Sequence, residues 1–152
     1  MMLSKEINDN FSRSVGDVRK GLMVNINWGV KDLDRDGVST WDPEDVGKLV
    51  WDDTFTMTPV LNQQSVLNLC ASLKTNTELV KEPNDMECWI EDMNDSLPSN
   101  GKLPISDAAT FEQALKNFAE NTEKGRKHVN DYNLGFEKSN GKIKWSRIVV
   151  PA

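Results

Sequence analysis

The sequence predicts one α+β domain, and three observations predict it. Residues 22–30 alternate Leu22, Val24, Ile26, Trp28 and Val30 with Met23, Asn25, Asn27 and Gly29, the period of two of a half-buried strand. Asn140-Gly141 near the C-terminal end is the strongest two-residue hairpin signal, because a type I′ turn needs positive φ at both positions. Between them lie three apolar stripes at helical spacing. A strand, then helices, then an antiparallel hairpin implies an antiparallel or mixed sheet with about three helices on one face.

Each element has its own warrant. Residues 1–21 form a polar lead-in in which Leu3, Ile7 and Phe11 recur at helical spacing. After the 22–30 strand, residues 31–53 carry eight acids against three bases together with Gly37, Pro43 and Gly47. They read as a long irregular loop turning at Asp36-Gly37, pinned to the core by Trp41, Val46, Leu49, Val50 and Trp51. A loop this long is uncommon unless it has a function. Pro59 opens a helix to about Leu73, since a first-turn proline loses no intrahelical bond. Its stripe is Val66, Leu69, Cys70 and Leu73. Asn84 with Glu87 resembles a capping box for a helix over 85–95, with Met86, Ile90 and Met93 on its inner face and Trp89 beside them. Ser106 or Asp107 caps a helix over 107–121 that buries Phe111, Leu115, Phe118 and Ala119. Lys124-Gly125-Arg126-Lys127-His128 reads as a basic linker. In the hairpin, a two-residue turn sets Glu137 opposite Lys144, Phe136 opposite Trp145, Lys138 opposite Ile143 and Leu134 opposite Arg147.

Composition narrows the function classes. The chain has 152 residues, 18 Lys+Arg, 24 Asp+Glu and a net charge of −6, with 38% hydrophobic residues. It is long and apolar enough for a core and too apolar for disorder. An acidic balance argues against nucleic acid. No run of 18 apolar residues suggests a membrane span, and no charged-then-apolar start suggests a signal peptide.

The candidate chemistry is sparse. Two cysteines, Cys70 and Cys88, and one histidine, His128, are too few for a structural zinc site. Spacing alone leaves the cysteines as one disulfide, two buried small hydrophobes or two free thiols. His128 sits in a polar stretch and reads as a solvated loop histidine. No catalytic constellation is marked: there is no nucleophile elbow and no phosphate-cradling glycine loop, and a solvated acidic loop is far commoner than a carboxylate dyad.

Asp32-Leu33-Asp34-Arg35-Asp36-Gly37 is an alternating-carboxylate run around a glycine turn, a pattern that can converge on Ca²⁺. It is no standard EF-hand, because loop positions 8 and 12 are Ser39 and Pro43. A stand-alone calcium module with Asp32, Asp34 and Asp36 as ligands, joined by Asp42 or Glu44, is therefore the alternative function. The competing reading of the same run is a solvated Asx-rich turn.

An ordered series of short motifs points further. It runs Trp28-Gly29-Val30, Asp36-Gly37, Asp42-Pro43, Gly47 and Trp51-Asp52-Asp53-Thr54-Phe55. It continues with Pro59, Gln63 or Gln64, Leu69-Cys70 and Leu73, and ends with Cys88-Trp89-Ile90-Glu91-Asp92. In order and spacing this resembles an extracytoplasmic domain of the Dispatched-like branch of the Patched/Dispatched transporters. These are members of the resistance-nodulation-division (RND) superfamily with a sterol-sensing membrane unit. The resemblance covers about residues 22–150. It implies a ferredoxin-like, porter-type core and a Cys70–Cys88 disulfide. It also implies a place on the extracellular or lumenal side of a membrane protein. The partners implied are the remaining domains and transmembrane helices of a parent transporter, and a lipidic or sterol-modified cargo. The membrane helices and coupling residues of such a transporter are not in this chain, so it resembles an excised domain or a fragment beginning at an internal methionine. The sequons at Asn10 and Asn94 agree with an outside location, and Asn94, near a helix end, is the better acceptor.

Overall fold

The spine of the domain is a nine-residue strand near the C-terminus. In the computed structural model, which describes residues 23–42, 44–80 and 82–151, nine regular elements follow in order. They are β1 (Met23–Trp28), β2 (Val30–Asp34), β3 (Lys48–Trp51), α1 (Val60–Thr75), α2 (Trp89–Ser96), α3 (Ala108–Asn121), α4 (Glu123–Asn130), β4 (Leu134–Phe136) and β5 (Ile143–Pro151). The lead-in, with its expected short helix and the Asn10 sequon, lies outside the described residues.

β1 and β4 flank β5 in a three-stranded antiparallel sheet of order β1-β5-β4. The alternating N-terminal segment and the C-terminal hairpin therefore share a sheet. Ile26 and Trp28 turn inward with Ile148 and Val150, while Asn25 and Asn27 face the other way beside Arg147. The helices cover the inner face and close a core of Val66, Trp89, Ile90, Met93, Phe111, Leu115 and Phe118. The class is α+β, with four α-helices among the described residues where about three were expected.

The first strand ends earlier than its alternation suggests. Gly29 has φ +86°, and a Cβ there would sit 2.2 Å from the carbonyl oxygen of Lys144. The chain turns out of the sheet at this glycine, and Val30 begins β2 instead of ending β1. β2 and β3 then pair antiparallel as a separate ribbon. Residues 31–53 are thus a hairpin excursion and not an irregular loop. Nor do its apolar residues pin it to the core. Trp41 is 93% exposed, Val46, Leu49 and Val50 are exposed as well, and only Trp51 is half-buried. The ribbon was illegible because neither face is fully buried, so no alternation was required of it. Its root is fastened by the backbone, Asp52 N–H donating to Gly29 O at 2.9 Å.

The helices depart from expectation at two places. Pro59 is the N-cap residue of α1 and not part of its first turn. The expected helix over 85–95 is split into a 3₁₀ turn (Pro83–Asp85), an extended step through residues 86–88, and α2. Glu87 does not close a capping box. Its backbone exchanges two hydrogen bonds with Val149, at 2.9 and 3.2 Å, and so extends the sheet edge beyond β4. Sheet pairing satisfies both backbone groups of Glu87. α3 forms as read, with Asp107 accepting from Thr110 N–H at 2.7 Å and Phe111, Leu115, Phe118 and Ala119 buried.

The basic stretch 124–128 is not a linker but most of α4. Thr122 caps it by accepting from Gly125 N–H at 2.9 Å. Gly125 lies so close to α3 that a Cβ would fall 1.9 Å from the carbonyl oxygen of Phe118. The hairpin register is also shifted. Phe136 pairs with Ile143, Gly135 with Trp145 and Leu134 with Ser146, with an irregularity between Gly135 and Phe136. The cause lies in the turn. Only Gly141 takes positive φ there, whereas Asn140 uses its side chain to accept from Lys142 N–H and donate to Glu137. Glu137 and Lys144 still meet, at 3.8 Å.

Cys70 and Cys88 form a disulfide with both residues buried. It joins α1 to the residue that follows Glu87, and hence to the sheet edge. Replacing both cysteines by serine is expected to lower unfolding free energy by ~3 kcal/mol, from the lost loop constraint. Gly29→Ala is expected to cost at least ~2 kcal/mol through forced positive φ and the clash with Lys144. Urea unfolding of the full chain checks both values.

Candidate binding cleft and its buried support

A buried polar network stands behind the sheet edge, and its centre is the histidine expected in solvent. His128 is 3% exposed because α4 turns it toward Phe118 and α2. The network fixes the ring's proton. Arg147 Nε donates to Asn133 Oδ1 at 3.0 Å, which sets the orientation of that amide. Asn133 Nδ2 then donates to Glu87 Oε2 at 2.7 Å and faces His128 Nδ1 at 3.1 Å. Nδ1 must accept, so the ring proton lies on Nε2 and is donated to Asp92 Oδ2 at 2.9 Å. Both ring nitrogens are committed.

Ion pairs line the rim. Lys124 pairs with Asp92, Lys127 with Glu87 and Asp131, and Lys74 with Glu91. They border a polar depression of about 540 Å³ over His128. The His128 N–H is the main reason that the Asp92 carboxyl is held at about 2, below its ordinary 3.8; burial opposes this and Lys124 reinforces it. Burial raises Glu87, but hydrogen bonds from Lys127 and Asn133 outweigh it and leave its carboxyl below the ordinary value.

The network also shapes the opposite face of the sheet. Asn133 N–H donates to His128 O at 2.7 Å, and Asn133 O accepts from Arg147 N–H at 2.8 Å. Arg147 Nη2 donates to the carbonyl of Asp131. Held on both sides, Tyr132 takes φ +58°, unlike any other described non-glycine residue, and is 71% exposed. A bulky residue in this conformation is uncommon and persists where its surroundings over-determine it. Tyr132, Trp145, Arg147 and Asn27 line one wall of a cleft of about 370 Å³, and Val30, Leu49 and Trp51 of the ribbon line the other. The size is within the range of ~300–1,000 Å³ usual for small-molecule sites. Trp145 lies over Gly135, where a Cβ would fall 1.9 Å from its Nε1. Lys144 Nζ sits 5.2 Å from the Trp51 ring centroid, a cation–π contact.

The expected site residues are distributed differently. Cys70 and Cys88 are joined. Asp32, Asp34 and Asp36 are not gathered into a metal-binding group. Asp32 accepts from Leu33 N–H and Asp34 from Asp36 N–H, each capping its own backbone. Asp42 likewise accepts from Glu44 N–H. Among the described residues the one metal-like grouping is Cys70, Cys88 and Glu91, and its sulfurs are in the disulfide. Asn94 lies in α2, where Oδ1 accepts from Leu103 N–H at 2.9 Å. The residues missed from sequence are His128, Asn133, Tyr132 and Arg147. Thr122 as an N-cap three residues before Gly125 was the available signal for α4. Among the described residues no helix is long and apolar enough to cross a membrane. No protein-family model, curated protein or solved structure matches this chain.

Asp92→Ala leaves the buried His128 Nε2–H without its acceptor and is expected to cost ~1–3 kcal/mol at neutral pH. The folded-state pKa of Asp92 lies below the unfolded one. The stabilisation is therefore complete above the ordinary value of 3.8 and drains away as pH falls through about 2. The urea midpoints of wild type and variant should converge across that window.

Proposed function

We propose that this chain is an extracytoplasmic domain, or fragment of one, from a Dispatched-like RND transporter. On this reading it sits on the extracellular or lumenal side of a membrane as part of a larger protein. It has no catalytic role and forms part of the lobe that receives or passes a lipidic or sterol-modified cargo. The three-stranded sheet under its helices is then this chain's share of a ferredoxin-like, porter-type core. Its partners are the other domains and membrane helices of the parent.

The observation that carries the reading is the buried Cys70–Cys88 disulfide, which links two motifs of the series, Leu69-Cys70 and Cys88-Trp89. Such bonds persist in oxidising compartments. Four further residues of the series fall at demanding positions. Gly29, Gly37 and Gly47 all take positive φ, and Pro59 begins α1. The ribbon leaves Val30, Leu33, Trp41, Val46, Leu49 and Val50 exposed, an apolar surface of the kind that neighbouring domains cover.

An antiserum against the 152-residue chain tests the reading in the source cells. The expected result is a much larger polypeptide that stays with membranes in alkaline carbonate and is cut by protease added outside intact cells or vesicles. A free species of this chain's size in the soluble reducing fraction would overturn it.

A further inference from the structure

Arg147 differs from the other cations that line the depressions described above. Lys74, Lys124 and Lys127 each meet a carboxylate. Arg147 is half-buried, and its partners are neutral: Nε donates to the Asn133 amide oxygen and Nη2 to the Asp131 carbonyl. Among the described residues it has no carboxylate partner, and Nη1 has no acceptor. A guanidinium fixed in place, without a carboxylate partner among the described residues and lodged in a mostly apolar cleft, is a preformed anion receptor. Beside the cleft, Lys144 Nζ lies over the Trp51 ring and, among the described residues, pairs with Glu137 at 3.8 Å. Beyond Arg147 the walls are Trp145, Trp51, Tyr132, Val30 and Leu49, which offer apolar area and few hydrogen bonds.

We infer that this cleft binds an amphipathic monocarboxylate of the fatty-acid class. Its head group sits on Arg147, with Asn27 beside it in register, and its chain lies between Trp145 and the ribbon. Charge complementarity selects the head, and the aromatic and aliphatic walls select the tail. The strained backbone at Tyr132 and the Asn133–His128–Asp92 network hold the receptor rigid, which reduces the ordering cost of binding. The assignment does not need the transporter reading, and the two can fail separately.

The test is the indole Nε1–H spectrum of the full chain, titrated at pH 7.5 with decanoate and with decanol, both below their aggregation thresholds. Decanoate should shift Trp51 and Trp145 saturably and leave the exposed Trp41 and buried Trp89 in place. Decanol should bind at least tenfold more weakly. Arg147→Gln should weaken decanoate at least tenfold and leave decanol unchanged. Because that variant also loses two structural hydrogen bonds, Leu49→Asp on the exposed ribbon wall gives a second reading and should likewise weaken decanoate at least tenfold. Any of four results would overturn the inference. These are equal binding of the acid and the alcohol, no saturable shift, a folded Arg147→Gln chain with unchanged affinity, or shifts produced by maltose or a short peptide and not by decanoate.

Discussion

Most of this structure depends on β5 having a partner along both edges. One edge is covered by β1 from Ser146 to Pro151. The other is covered piecewise by β4, then by Asn133 against Arg147, then by Glu87 against Val149. Unpaired backbone groups in a core-facing strand are costly, so these segments are drawn to β5 even at the expense of their own local preferences. Glu87 gives up a helix cap to serve there. The disulfide lies next to that pairing, since Cys88 follows Glu87 and bonds Cys70 of α1.

The same edge connects the interior to the surface. Asn133 is the hinge of the arrangement: its backbone pairs with Arg147, and its amide touches His128, Glu87 and Arg147. On one side this network closes the core against α2 and α4. On the other it holds Tyr132 and the Arg147 guanidinium in the wall of an apolar cleft. With the Asn133 amide and both His128 ring nitrogens satisfied, this network is rigid, and rigidity is what a recognition surface needs from its support. The ribbon supplies the second wall with little packing of its own, anchored by its root at Gly29 and by the half-buried Trp51.

Some of this was legible in the residues. The alternation from Val24 to Trp28, the Asp107 cap and the Phe111–Leu115–Phe118 stripe are local signals, each satisfied within a few residues of chain. The β2–β3 ribbon left no such trace, because its exposed faces impose no pattern and its acids suggested a loop. His128 was misread for a related reason. The eight residues of α4 are overwhelmingly polar, and only Gly125 and His128 among them are buried. Burial there is tied to a carboxylate on α2 that is 36 residues away in sequence, together with the amide of Asn133 just after α4.

By itself the sequence determined the α+β class and the helices around Cys70, Trp89 and Phe111. All of these follow from periodicity, caps and turn chemistry, which act over one or two turns of chain. Tertiary structure alone decided where β1 stops, the pairing of Glu87, the proton on His128 Nε2 and the isolation of Arg147. Each of these is settled by a backbone or side-chain partner remote in sequence. The physical reason is that hydrogen bonds and charges must be satisfied in space, and spatial neighbours are known only after the chain has folded.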